Sequence, residues 1–193
     1  MDIISRIKNV LVSPQTEWTA IESENTPHVK VFTSYVVPLA LIPAVAAFIG
    51  YGFMRVSVLG AFGGSLIGWG IRHAIMQYAT MLGGVYITAF VIDALAEKFE
   101  AQKDFNRAFS LVAYSYTPMF VAGVLYVIPS LAGLASLAGL YGLYLLYVGL
   151  QPMMKTATEK QTAYFVVSLI VTVLVSLVLT AVLSAVLLRG MWN

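Results

Sequence analysis

Eight side chains in this sequence have types and spacing that could carry chemistry: Asp93, Tyr114, Ser115, Thr117, Pro118, Tyr141, Tyr144 and Tyr147. Asp93 stands in Val-Ile-Asp-Ala-Leu, just past an uncharged run from His73 to Ile92. A carboxylate held in hydrocarbon is costly and so a functional candidate. At a membrane boundary it is instead solvated, or paired with Lys98 or Arg107. Ala113-Tyr-Ser-Tyr-Thr-Pro118 is the most polar stretch within an apolar run. Pro118 lacks a donor and clashes one turn back, near Tyr114. That frees a carbonyl, which Ser115, Thr117 or a tyrosine hydroxyl can take. The outcome is a kinked helix, or a broken one that offers backbone groups to a substrate.

Residues 131–150 read LAGLASLAGLYGLYLLYVGL, with leucine opening each of six triplets. Three residues turn a helix by about 300°, so these rows wind around it. Gly133, Ser136, Gly139 and Gly142 therefore spread small residues over about half a turn, which predicts close neighbours on several sides and a central place in a bundle. Tyr141, Tyr144 and Tyr147 span about 120°. Their hydroxyls need partners, either in neighbouring helices or along a ligand or ion path. A second row, Ser168, Thr172, Ser176, Thr180 and Ser184, steps by four. Such a line drifts only about 40° per step and suits a helix-packing or subunit seam, since each hydroxyl can bond back along its own helix.

No nucleophile–base pair, zinc-protease motif or phosphate loop is present. Cysteine is absent, and His28 and His73 fall near opposite membrane faces, so no metal or cofactor site is expected.

What surrounds these residues is set by composition. Of the 193 residues, 60% are hydrophobic and 10% charged, against about 25% charged in a soluble protein. No Asp, Glu, Lys or Arg occurs in 31–54, 73–92, 108–154 or 161–188. With about 20 residues per crossing, the third run holds two helices and each of the others one. The fold class is thus all-α, a polytopic bundle with spans at about 31–53, 73–95, 105–128, 131–151 and 161–188. Residues 30–193 form this membrane domain and 1–29 precede it.

Residues 56–71 are also uncharged, but short and rich in glycine. They read as an outer loop lying on or dipping into the membrane, with Gly64 and Gly68 in a close-packing pattern. Asp104 is placed to cap span three.

In the N-terminal segment, Ile3, Ile4, Ile7, Val10 and Leu11 recur at helical spacing, which suits a helix in the headgroup region. Ser13-Pro14 then opens a second helix to Glu24, with Trp18 at the membrane boundary. The first 20 residues lack an apolar signal core, so span one is expected to act as its own insertion signal.

With the N-terminus inside, Arg6, Lys8, Lys30, Lys98, Lys103, Arg107, Lys155 and Lys160 are inner, and Arg55, Arg72 and Arg189 outer. That bias of eight to three predicts a cytoplasmic N-terminus and an outer C-terminus. A net charge of +2 points away from nucleic acid.

Three segments carry a resemblance: SPQTEW at 13–18, AYSYTP at 113–118 and GLYGLYLLYVGLQPMMK at 139–155. In their order and spacing across five spans, the chain resembles the Yip1-domain family, in its short prokaryotic branch. The resemblance implies an integral membrane protein with a cytosolic N-terminus, and only from its prokaryotic branch is a bacterial inner membrane expected. Eukaryotic members act in vesicle trafficking, bind Rab GTPases and form hetero-oligomers. Their Asp-Leu-Tyr-Gly-Pro motif is missing here, so the Rab role is not carried over. Tyr114, Thr117, Pro118, Gly139, Tyr141, Tyr144 and Gly149 match family-pattern positions without assigned roles.

The expected function is non-enzymatic: an interaction, scaffold or membrane-organising factor, partnered by the bilayer and by itself or another membrane protein. The alternative is a small channel or transporter whose path is lined by the span-four tyrosines, Asp93 and the Pro118 kink. A small-molecule or ion ligand stays open.

Overall fold

The computed structural model describes the backbone of residues 2–54 and 66–190, with side chains for 2–53 and 67–179. Among the described residues all regular structure is helical. Two short helices, α1 (Ile3–Val12) and α2 (Pro14–Glu24), precede five helices long and apolar enough to cross a membrane. These are span one (His28–Phe53), span two (Ile67–Phe99), span three (Phe105–Val127), span four (Pro129–Met154) and span five (Thr158–Leu179), the last helix running on to Gly190.

Local chemistry explains the irregular places. Pro38 has no N–H to return to the preceding turn. The chain answers with a π-turn over Phe32–Val36, and the Val37 N–H reaches back to the Phe32 carbonyl. Span three breaks at Tyr116, between helices Phe105–Ser115 and Thr117–Ala122, as the proline predicts. Asp104 caps its start, accepting from the N–H groups of Asn106 and Arg107. Pro14 sits in the first turn of α2, but Ser13 makes no side-chain cap.

Three expectations need correcting. Residues 66–71 are not loop: the helix of span two already runs from Leu66. A methyl on Gly70 would lie 2.8 Å from the Phe48 carbonyl oxygen, so packing against span one uses this glycine where propensity alone argues against helix. The rest of that stretch, 56–65 with Gly64, lies outside the described residues.

The second correction concerns the centre of the bundle. Span three is the most buried of the five, and spans four and five are the least. The winding leucine row carries Leu134, Leu137 and Leu140 to the exposed flank. A methyl on Gly133 would meet nothing within 4 Å among the described residues outside its own stretch of helix, while Gly142 and Gly149 sit where other elements approach closely.

The third concerns Trp18, which lies inside the bundle, 1% exposed. A methyl on Gly149 would lie 2.5 Å from the indole and 2.6 Å from Leu111, so the missing side chain makes room for the tryptophan. The α1–α2 hairpin thus folds back onto spans three and four.

Gly149→Val should lower the melting temperature in detergent, by an overpacking cost of about 1–3 kcal/mol. Gly133→Ala, in open space, should leave it unchanged or slightly higher. Equal melting of the two variants would contradict the packing described.

Candidate functional site

A polar column runs from the N-terminal hairpin into the bundle. Arg6 on α1 is 4% exposed. It donates to Glu17 Oε1 at 2.5 Å and to Glu24 Oε2 at 2.6 Å. Glu17 and Glu24 stand seven residues apart on α2, two turns along one face. A buried cation needs such partners, because desolvation in their absence costs several kcal/mol. Burial disfavours the charged form of Arg6, but Glu24 and Glu17 outweigh it and hold its pKa above the ordinary value.

The guanidinium also lies 5.3 Å from the centre of the Tyr114 ring, a cation–π contact. Tyr35 meets Tyr114 edge-on at 4.7 Å. Thr117 Oγ1 donates to the Tyr114 carbonyl at 2.6 Å, taking the acceptor that Pro118 leaves free. Its one proton being committed, it accepts from the Tyr35 hydroxyl at 2.7 Å.

Beside this column sits a charged clamp. Glu22 accepts from Arg107 at 2.9 Å and pairs with Lys155 at 2.9 Å. Lys155, then Arg107, hold the Glu22 carboxyl below the usual carboxylate range. Arg107 also lies 3.5 Å from Asp104. Lys103 pairs with Glu97, and Lys160 with Glu100. Helices end here at Asn25, Glu100 and Lys155, all in the left-handed conformation. The loops are tied together as well, with Gln102 N–H donating to the Met154 carbonyl at 2.7 Å. The hairpin and the turns after spans two and four therefore share one charged end. His28 belongs to it: its N–H and ring Nδ1 both meet Asn106 Oδ1, at 2.9 and 2.8 Å.

Farther into the bundle, spans two to five line a partly open cavity of about 280 Å³. Thr88, Ser115, Tyr116 and Thr172 bring hydroxyls to its otherwise apolar wall.

The sequence candidates are thus divided. Tyr114, Thr117 and Pro118 belong to the column, and Ser115 to the cavity. The span-four tyrosines part company. Tyr141 donates to the Leu11 carbonyl at 2.7 Å, and Tyr147 lies 3.2 Å from Thr162 Oγ1. Tyr144 stacks on Tyr141 and is 46% exposed. None of the three lines the cavity, nor does Asp93.

Asp93 is half-buried, with Oδ1 lacking a partner. Its expected pairing with Lys98 or Arg107 is not formed, since Arg107 is taken by Glu22 and Asp104. In the span-five row, Ser168 is buried, Thr172 faces the cavity and Ser176 is half-buried. The side chains of Thr180 and Ser184 lie outside the described residues. His73, at the far end, stacks on Tyr51 at 4.3 Å.

Sequence reasoning missed Arg6, Glu17 and Glu24, and also Thr88 and Tyr116. The two glutamates on one face of a short helix, after a helix with a basic residue, were the available signal for the first group. Tyr116 lies within the polar stretch 113–118, but nothing in the sequence pairs it with Thr88, because spans two and three meet only in three dimensions.

A family model for the Yip1 domain matches residues 8–180. Among curated proteins, "Inner membrane protein YohC" of Escherichia coli (strain K12) is 28% identical over 131 residues, 65% of this chain and 65% of that protein. The protein of the same name from Escherichia coli O6:H1 (strain CFT073) matches to the same extent. The chain spans about 65% of the length of these relatives. No solved structure gives a significant match.

Arg6→Gln should free the hairpin, because it leaves Glu17 buried without its cation, a loss of about 3–5 kcal/mol. Hydrogen exchange across residues 3–24 should rise by at least tenfold, and unchanged protection would refute the role given to Arg6. Glu22, with its lowered pKa, contributes stability at neutral pH that fades as pH falls below the ordinary carboxylate range, through its lowered folded value. Protection of α2, corrected for the intrinsic slowing of amide exchange in acid, should therefore fall on acidification, and Glu22→Gln should flatten that dependence.

Proposed function

The chain belongs to the Yip1 domain family of integral membrane proteins, and from that premise we propose that it works without catalysis, as a self-associating interaction or scaffold protein of a bacterial inner membrane. The location follows that of its relatives, the inner membrane proteins YohC. The charged end, with the N-terminus, faces the cytoplasm in this reading. In support, Arg6, Arg107, Lys103, Lys155 and Lys160 form ion pairs there, and positive charge favours the inner side.

Polar side chains within the spans are used to hold helices together. Tyr35 bonds Thr117, Tyr164 donates to the Ile92 carbonyl at 2.5 Å, and Gln161 donates to the Tyr147 carbonyl at 2.7 Å. Such a framework suits a rigid platform better than a path for ions.

Tyr144 carries the self-association. It stands ten residues before Met154, where span four ends, about 15 Å into hydrocarbon some 30 Å thick. It is 46% exposed, among the exposed Leu137, Leu140 and Leu143. Among the described residues its hydroxyl makes no hydrogen bond. A phenol at that depth gains a partner when a second copy packs against this flank.

Single cysteines can be read directly, since the chain has none of its own. Leu137→Cys and Leu140→Cys should form disulfide-linked dimers in native membranes, whereas Ile75→Cys and Phe90→Cys, exposed on span two, should not. Tyr144→Phe should weaken the crosslinking several-fold. Monomers at every position would sink the proposal, and labelling of Lys8→Cys from outside the cell would reverse its orientation.

A further inference from the structure

The cavity between spans two and five has a wall chemistry that the scaffold reading does not use. Ser115 is 3% exposed, yet its Oγ has no hydrogen-bond partner. Thr172 Oγ1 is likewise buried without one. Among the described residues Thr88 and Tyr116 have only each other, at 3.5 Å, which occupies one of their two protons. Three hydroxyl protons therefore face the cavity with no acceptor. An unpaired hydroxyl in an apolar setting costs about 1–3 kcal/mol. Among the described residues none that lines the cavity is charged. The complement is a neutral molecule that brings acceptor oxygens on an apolar body.

Depth narrows the class. Ser115 is ten residues from the start of its helix at Phe105 and Thr172 fourteen from Thr158, so they lie about 15 and 21 Å in at 1.5 Å per residue. In a core about 30 Å thick this is the middle of the bilayer. The ester groups of ordinary bilayer lipids stay near the interface and do not reach it. A lipid-soluble carbonyl compound does. The entrance points the same way, because two lining residues, Leu143 on span four and Val173 on span five, are also 37% and 56% exposed on the outer flank. The mouth therefore opens sideways, toward lipid.

We propose that this cavity binds a membrane quinone, entering between spans four and five and held through its carbonyl oxygens by the hydroxyls of Ser115 and Thr172, with Thr88 and Tyr116 supplying the third donor. A volume of about 280 Å³ is at the lower end for small-molecule sites, about 300–1,000 Å³. It takes the ring and the first part of a tail, and leaves the remaining tail in lipid. The site belongs to one copy of the chain, so it does not depend on self-association.

The test is equilibrium binding of decylubiquinone to the full-length protein in lipid nanodiscs, with decylbenzene as a carbonyl-free competitor. Saturable binding at one per chain is expected, with decylbenzene competing at least tenfold less well. Ser115→Ala with Thr172→Val should weaken binding by about tenfold, as two lost hydrogen bonds imply. Val173→Trp, at the lipid-facing rim and outside the packed core, should block entry; it serves as the second variant should the double one fail to fold. A photoreactive azidoquinone should label spans three to five. Unsaturable partitioning, equal competition by decylbenzene, or undiminished binding in both folded variants would overturn the proposal.

Discussion

Inside hydrocarbon a polar group has no water to fall back on, so each N–H, carbonyl and hydroxyl must find its partner within protein or carry the cost. The irregular features of this bundle follow from that demand. Pro38 and Pro118 each remove a donor from a spanning helix. At the first, the backbone lengthens its step into a π-turn. At the second, a threonine one residue before the proline donates to the stranded Tyr114 carbonyl, and a tyrosine from span one donates to that threonine. The repair of a backbone fault thereby becomes a link between spans one and three, and it fixes the ring on which Arg6 rests.

The same demand shapes the charged end. Arg6 lies nearly as deep as the apolar core and stays charged because two carboxylates and a tyrosine ring replace its hydration. Around it, Glu22 joins α2 to spans three and four through Arg107 and Lys155. The hairpin is thus a part of the fold, held by buried charge on one side and by Trp18 against Gly149 on the other. Membership in the Yip1 domain family gives the architecture its context. Tyr114 beneath Arg6, Tyr141 on the Leu11 carbonyl and Gly149 beneath Trp18 tie the hairpin to the spans.

Where the demand is left unmet, the structure offers openings. The hydroxyls of Ser115 and Thr172 look into a cavity, and that of Tyr144 looks out from a leucine flank. The rest of the span-four tyrosines are consumed internally, Tyr141 by the hairpin and Tyr147 by span five. A stripe of one residue type along a helix thus dissolves into three separate roles once its neighbours are in place.

The sequence by itself determined the number of spans, the proline kink with its stranded carbonyl, the Asp104 cap and the segregation of basic residues. Each follows from local rules: the length of an apolar run, the missing donor of proline, a side chain within reach of the next two N–H groups. Only the tertiary structure decided that span three is central, that the hairpin docks on the bundle, that Asp93 stays apart from Arg107, and that Thr88, Ser115, Tyr116 and Thr172 share one wall. Those outcomes depend on which helix faces meet. In a chain apolar on all sides, hydropathy does not mark an inner face, so the choice falls to shape and to the few polar groups that must find each other.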